Sequence, residues 1–462
     1  MARCSGNSNE GPALNRLLVL LLMLLVVLAP LPLGSNREWS ATLCTVLAAA
    51  LTLLWAATRG WRPGESARFV HPAITLLFVA ACAWALLQTV AGLPQSWQHP
   101  LWSQAGAVLG MELPGLVSLS AEDGRSTLLR LLGYALVFFL AFQLARERSR
   151  ARAMLGWMVA AGLAYGLFGL IVFWSDYSPD WLFRGKALLP DLRSTFINRN
   201  HYATWQGLTL LCAIAWFHLR MGQPEGRPYA LPDDRATRVE KFVLKAWQPL
   251  TAILLMVTAL VLTHSRGGFV ATLAAVVALL LLLDSHAVVR KAAARVVVLS
   301  ALAVCSLAFY LTSEVLLDRI DRTDITNEER VIVFDNVRRG IADNPWLGFG
   351  YGTFADSFRL YDRIESPVHY DRAHNTSLES LFELGLPAAL ALFAAIAGLA
   401  LTCLRGVRRR HRDWAYPSLG AAASVLVGVH ALLDFSLQIP AVAILYACIM
   451  GIGCAQSRTT RE

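Results

Sequence analysis

Charge is scarce in this sequence. Asp, Glu, Lys and Arg together make up 16% of its 462 residues, where a soluble domain carries roughly a quarter. Hydrophobic residues make up 56% and the mean hydropathy is +0.49, which excludes an ordinary soluble domain and points to a polytopic membrane protein. Paired cysteines are also missing. Eight cysteines occur, but there is no CxxC pair; Cys44, Cys82, Cys212, Cys305, Cys403, Cys448 and Cys454 fall within apolar runs and Cys4 lies at the N-terminus. Small packing residues explain them better than disulfides or metal ligands. HExxH, GxSxG, Walker and paired-carboxylate motifs are absent from the extramembrane loops, which argues against ATP hydrolysis, a metal centre and any cofactor. Energy for chemistry would then come from an activated substrate or a gradient. No internal repeat of fixed period is visible, so repeat folds are not suggested.

What is present is length of apolar run. A helix needs about 17 to 25 apolar residues to cross about 30 Å of hydrocarbon, and twelve windows meet that: Leu17 to Leu33, Ser40 to Ala57, Pro72 to Leu93, Thr127 to Ala145, Ala153 to Trp174, Asn200 to Leu219, Trp247 to Thr263, Gly267 to Leu283, Val296 to Thr312, Thr376 to Leu404, Ala415 to Leu433 and Pro440 to Ala455. The first resembles a signal peptide, with Arg16 before a leucine run, but Pro30, Pro32 and the spans that follow favour a retained helix. The fold expected is all-α, with 1–312 holding nine spans, 313–375 a large outer loop domain, 376–455 three more spans and 456–462 a tail.

The net charge of +9 does not indicate nucleic acid, because the basic residues cluster in short loops between apolar runs. Arg59, Arg62 and Arg68, then Arg146 to Arg152, Arg220 to Lys245, Arg290 to Arg295 and Arg405 to Arg412 all fall on one side, as do both termini. The positive-inside rule places that side in the cytoplasm, so the long polar segment faces outward. Within it, Glu328 to Ile341 sets Val331, Phe334, Val337 and Ile341 at helical spacing, predicting an amphipathic helix that Asn344-Pro345 stops. Gly348-Phe349-Gly350-Tyr351-Gly352 follows; with no strand before it, a tight turn is a better reading than a phosphate cradle.

An arginine within a span is costly, so one at the outer boundary invites a functional reason. Arg193 and Arg199 lie just before the sixth span, Arg266 fills the turn Thr263-His264-Ser265-Arg266-Gly267-Gly268, and Arg130 opens the fourth. A guanidinium forks two hydrogen bonds onto phosphate oxygens, so converging arginines suit a diphosphate at headgroup depth; headgroup snorkelling or structural ion pairs are the plainer alternative. The glycines after Arg266 leave room for a ligand. His374 lies next to Asn375, and Thr376 with Glu379 three residues on reads as a capping box. The positive end of a helix disfavours an imidazolium, which makes His374 a candidate proton acceptor. Asp371 could orient it or could pair with Arg372.

Taken together, these pieces resemble the O-antigen ligase and Wzy-type polymerase superfamily of bacterial envelope glycan enzymes. The resemblance rests on Pro32-Leu33-Gly34-Ser35, the block Arg193 to Ala203, Ser265-Arg266-Gly267-Gly268, Glu329-Arg330 followed by Asn344-Pro345-Trp346-Leu347-Gly348-Phe349-Gly350, Ala373-His374-Asn375 with Leu378-Glu379 and Glu383-Leu384-Gly385, and His430 with Asp434-Phe435. It implies a fold akin to the polyprenyl-dependent, GT-C-like glycosyltransferases. It further implies metal-independent, inverting transfer of a glycan from undecaprenyl diphosphate, in the inner membrane with a periplasmic active site. The acceptor would be the lipid A core of lipopolysaccharide for a ligase, or another lipid-linked glycan for a polymerase. Two outer arginines would bind the diphosphate and His374 would assist transfer, with Asn375 beside it. Where many members carry a proline between two asparagines, this chain has Asn198-Arg199-Asn200, which leaves Arg193 or Arg199 as the partner of Arg266. A secondary transporter is the alternative of another class; no inverted repeat or pair of broken helices supports it.

Reporter fusions test the orientation. Fusions after Arg220 and Arg408 are expected to read cytoplasmic and one after Asp324 periplasmic, and the reverse at any of them would overturn the assignment.

Overall fold

A computed structural model describes residues 10–59, 70–175, 191–222, 235–284, 327–362, 370–410 and 412–458. Every regular element among them is helical. The α-helices are α1 Glu10–Leu28, α2 Glu38–Arg59, α3 Pro72–Leu87, α4 Pro100–Leu109, α5 Ala121–Leu144, α6 Arg148–Trp174, α7 Arg199–Met221, α8 Arg235–Val261, α9 Arg266–Asp284, α10 Asn327–Asp343, α11 Phe354–Phe358, α12 Thr376–Arg409, α13 Ala415–Ala431 and α14 Pro440–Ala455. Among the described residues, 6 helices are long and apolar enough to cross a membrane: α2, α5, α6, the Val243–Val261 part of α8, α9 and α12. Helices α1, α3, α13 and α14 are apolar but shorter. The expected span at 296–312, most of the polar segment before α10, and Cys305 lie outside the described residues.

The helix at the centre is α7, whose residues from His201 to Ala215 are all buried. Helices α6, α8, α9 and α13 pack around it and α14 touches it. Although read from sequence as a span, it is not one of the long apolar helices, because its interior carries His201, Thr204, Gln206 and Thr209. Most of those groups are satisfied inside the protein: Tyr202 Oη donates to Gln206 Oε1 at 3.1 Å, Gln206 Nε2 donates to Gly162 O at 3.4 Å, and the Thr204 and Thr209 hydroxyls donate to backbone carbonyls of their own helix. Between helices immersed in lipid there is little hydrophobic drive, so close backbone approach over small residues supplies the packing. Gly162 faces Thr209 and Gly207 faces Thr272, and at either position a methyl group would collide. The described cysteines are free thiols, and all but Cys82 are buried, in keeping with a packing role.

A cap of extramembrane chain is docked on α12 through a deliberate break. Gly385, at φ 74° and ψ 163°, interrupts the helix two residues before Pro387, a residue that has no N–H and clashes with the preceding turn. The carbonyls freed by the break are taken by the segment after α10. Phe349 N donates to Phe382 O at 3.1 Å, Gly350 N to Glu383 O at 3.0 Å, and Leu386 N returns a bond to Pro345 O at 2.8 Å. Gln88, buried just after α3, reaches both chains: its Nε2 donates to Leu347 O at 2.7 Å and Glu383 O at 2.9 Å, while its Oε1 accepts from Tyr351 N at 3.0 Å. The glycine run is thus a docking turn, as the tight-turn reading had it.

Helix α10 ends at Asp343, immediately before the Asn344-Pro345 stop, and Phe334, Val337 and Ile341 of the expected face pack on the small core, but Val331 at its start does not. Val331 is 67% exposed, while Val333, Asn336 and Val337 are buried. The reason lies in Gly340, against which the Phe382 ring lies so closely that no side chain fits; a pattern built on apolar residues alone does not count that position. Phe349 stacks on Phe382 at 4.5 Å, closing a small aromatic core with Phe354, Phe358 and Tyr370.

Two variants probe the dock. In Gly348→Ala the new methyl would strike the Glu383 carbonyl, and the backbone at φ 69° already disfavours a side chain. Gln88→Ala removes a side-chain partner from three buried or part-buried backbone groups, Leu347 O, Glu383 O and Tyr351 N, at about 1–3 kcal/mol for each group left unsatisfied. Both are expected to lower the thermal midpoint of the detergent-purified protein by several degrees, and an unchanged midpoint for both would show that this junction does not hold the cap.

Candidate functional site

The two arginine-bearing turns are built against each other. In the first, Asn198 caps α7 by accepting from Asn200 N at 2.8 Å. In the second, Ser265 caps α9, its Oγ accepting from Gly268 N at 3.2 Å and donating to Asn200 Oδ1 at 2.8 Å. One hydroxyl therefore joins the first turns of both helices. Leu192 N also donates to Leu262 O at 2.9 Å, and Asp191 spans the same gap, with Oδ1 2.9 Å from His264 Nδ1 and Oδ2 2.7 Å from Arg199 Nη1. Burial pushes the Asp191 carboxyl up, but the His264 bond and the Arg199 charge outweigh it and hold the group below its ordinary value.

The three candidate arginines differ in their engagement. Arg199 is ion-paired with Asp191. Arg193 is half-buried and donates to Ile197 O at 3.0 Å; burial lowers its pKa, yet a guanidinium remains protonated. Arg266 is exposed and has no hydrogen-bond or ion-pair partner among the described residues. Of the two glycines after it, Gly267 would accept a methyl at ordinary contact distance, whereas Gly268 packs so tightly on Ala203 that it would not. Only the first leaves room for approach. Arg130 pairs with Glu38 at 3.1 Å, joining α5 to α2, which is the structural alternative.

His374 occupies a left-handed conformation at φ 51° immediately before the start of α12. The cap is Asn375, not Thr376. Its Oδ1 accepts from Leu378 N at 3.0 Å and its Nδ2 donates to Leu432 O at 3.0 Å, tying the helix start to the end of α13. Glu379 is displaced one position from a capping box and folds back to accept from Ala373 N at 2.9 Å and from Arg372 Nη1 at 3.0 Å. Arg372 is therefore the partner of Glu379. Asp371 is exposed and makes no bond to His374; the carboxylate beside the ring is Asp434, whose Oδ1 lies 3.5 Å from His374 Nδ1. Burial raises the Asp434 carboxyl, but His374, His201, His430 and the Phe435 amide more than offset it and leave it well below the usual carboxylate range. The His374 ring meets Phe435 edge-on at 5.1 Å, and His201 meets the same Phe435 ring edge-on at 4.6 Å.

These turns share one end of the bundle. The N-termini of α7, α9 and α12 gather around the C-terminus of α13, each bringing the equivalent of roughly half a positive charge. Thr204 Oγ1 donates to Asn200 O at 3.0 Å and so accepts from His430 Nδ1 at 3.2 Å. That fixes the neutral His430 ring with Nε2 bare, and this nitrogen faces Gly267. His201 Nε2, His430 Nε2, Asp434 Oδ2 and Ser436 Oγ are buried without a hydrogen-bond partner. The end of the bundle is thus positive at its rim and polar inside, suited to an anionic group and a hydroxyl together. No group of three or more His, Cys, Asp or Glu among the described residues has the geometry to hold a metal ion. His201 and Thr204 escaped the sequence reading because they lie within a span; only a tally of polar residues on the sixth window could have exposed them.

No protein of curated function matches the chain by sequence. Residues 251–393 match the family described as O-antigen ligase, a stretch that begins within α8, includes Arg266 and His374, and ends within α12. The chain thus carries an O-antigen ligase family domain.

Proposed function

We propose that this protein transfers a glycan from a polyprenyl-diphosphate donor to a sugar hydroxyl of an acceptor, in the manner of an O-antigen ligase, at the outer face of the bacterial inner membrane. The observation that carries the reading is that the starts of α9 and α12 both lie against the end of α13, Gly267 facing His430 and Asn375 bonded to Leu432 O, with Arg266, which has no partner among the described residues, at one start and His374 at the other. Arg193 and Arg266 grip the diphosphate. As the bond from the anomeric carbon to the diphosphate oxygen breaks, the electron pair passes to that oxygen, and two fixed guanidiniums stabilise the charge that develops. The acceptor hydroxyl attacks the same carbon from the opposite side, inverting it, and its proton passes to His374. Asp434 stabilises the imidazolium so formed, as an anion 3.5 Å away would.

The family description favours a ligase, with a lipid A core acceptor; a polymerase would use the same chemistry on a second lipid-linked glycan. The fold accompanying this reading is a GT-C-like bundle of about twelve spans, both termini cytoplasmic, with the cap in the periplasm. Deletion in the native host is expected to remove the glycan-bearing surface polymer and to accumulate the lipid-linked donor. Accumulation of free acceptor core identifies a ligase, short single-unit chains a polymerase, and a normal surface with normal intermediates would overturn the reading.

Two predictions follow for membranes supplied with a lipid-linked donor. Arg266→Ala is expected to cut transfer by about 10² to 10³, and Arg266→Lys to recover only part of it, since an ammonium cannot make the bidentate fork. Full activity in Arg266→Ala would make the arginine structural. His374→Ala is expected to lose about 10² to 10⁴ in rate, the usual worth of a general base. His369→Ala, at a position outside the described residues, is expected to lose little, and transfer is expected to survive EDTA. Chelator-sensitive transfer or a near-normal His374→Ala rate would refute the assignment.

A further inference from the structure

We infer that Asp191 is the positioning residue that sets the distance between the two donor-gripping arginines, and that Arg199 is its counter-ion instead of a third phosphate ligand. The inference rests on the functional reading above and deepens it. A diphosphate presents two phosphoryl groups at a fixed separation, so two guanidiniums serve it only when the turns that carry them are held in register. Here the turns are held at three points, all between residues 191–200 and 262–265: the Leu192 to Leu262 backbone bond, the Ser265 to Asn200 bond, and Asp191 to His264. Asp191 joins the two arginine-bearing turns through the two oxygens of one carboxylate. Its Oδ1 takes His264, two residues before Arg266, and its Oδ2 takes Arg199 at the first position of α7.

His264 itself is in the left-handed region at φ 52°, an uncommon conformation for an L-residue, though one that His, Asn and Asp tolerate better than most, so that holding it calls for a local constraint. The Asp191 bond supplies that constraint and so aims the cap and Arg266 behind it. Arg199 has its Nη1 committed to the same carboxylate. It cancels one negative charge that would otherwise compete with the donor for Arg193, which lies near enough to sense both groups.

The test uses full-length protein in membranes, with a lipid-linked glycan donor varied against fixed acceptor and the converse. Asp191→Asn and His264→Asn, the second chosen because asparagine tolerates the left-handed backbone, are each expected to raise the donor KM by about tenfold or more while leaving the acceptor KM unchanged. A residue that merely held the fold together would lower the amount of inserted enzyme without shifting one KM selectively. Adding Arg266→Lys to Asp191→Asn is expected to cost less than the product of the separate losses, since both act on one grip. Arg199→Lys keeps the ion pair and is expected to lose at least about ten times less activity than Arg266→Lys, where a phosphate fork is at stake.

If Asp191→Asn fails to insert, His264→Asn breaks the same bond from the other side and carries the test. A wild-type donor KM in these variants alongside a damaged Arg266→Lys would overturn the inference and leave the functional reading standing. Equal damage from Arg199→Lys and Arg266→Lys would return Arg199 to the phosphate. A harmless Arg266→Lys and Arg266→Ala would remove the functional reading, and this inference with it.

Discussion

Ser265 Oγ donating to Asn200 Oδ1 at 2.8 Å joins the first turn of α9 to the first turn of α7, and this end of the bundle is arranged around that contact. It requires both helices to start at the same depth, with their N-termini side by side. Two like-oriented helix ends repel, and nearby arginines add to the repulsion, so the arrangement needs compensation from anions. Asp191 supplies one within the protein, and Asp434 does so at the start of α12. Neither is enough to neutralise the rim. Under the proposed function, a diphosphate would complete that compensation, and relief of the repulsion would add to its binding energy.

The same contact explains why the central helix is polar. A helix that presents Asn200, His201 and Thr204 near one end cannot face lipid there, where each unsatisfied polar group costs several kcal/mol. The chain meets this by enclosing α7 on every side and by placing glycines at Gly162, Gly207 and Gly268 where neighbours come closest. Burial of α7 in turn holds its first turn rigidly, which is what a site of defined geometry needs. Packing in the membrane and chemistry at its surface are thus two demands on one helix.

Much of this was legible in the sequence, and the part that was not has a physical reason. Apolar runs identified helices α1 to α3, α5 to α9 and α12 to α14, because in a bilayer the hydrophobic length is the dominant constraint. Arg193, Arg266 and His374 stood out because charge or imidazole at a span boundary is rare. What stayed hidden depends on contacts distant in sequence. Asp434 lies 60 residues beyond His374 and was visible only as part of a motif, so Asp371, the nearer carboxylate, stood as a possible orienter or a partner of Arg372, although it is exposed. Gln88 carried no signal at all, since a glutamine after an apolar run is unremarkable until the chains it joins are placed around it. The α10 face was placed correctly at Phe334, Val337 and Ile341 and missed at Val331, because a glycine, which contributes no hydrophobicity, is the point of closest approach.

The break at Gly385 connects these levels. A continuous helix from Thr376 to Arg409 would leave no free carbonyls at Phe382 and Glu383, and the cap would have no backbone partners on the bundle. By opening α12 two turns from its start, the chain makes a short stub, Thr376 to Leu384, that is held from several sides: by Gln88 and the glycine turn at its lower end, and by Leu432 and Asp434 through Asn375 and Thr376 at its upper end. His374 sits on top of that stub. Its position is therefore set by the cap and by α13 jointly, so a loosened dock near Gly348 would be transmitted along less than three helical turns to the residue proposed to take the proton.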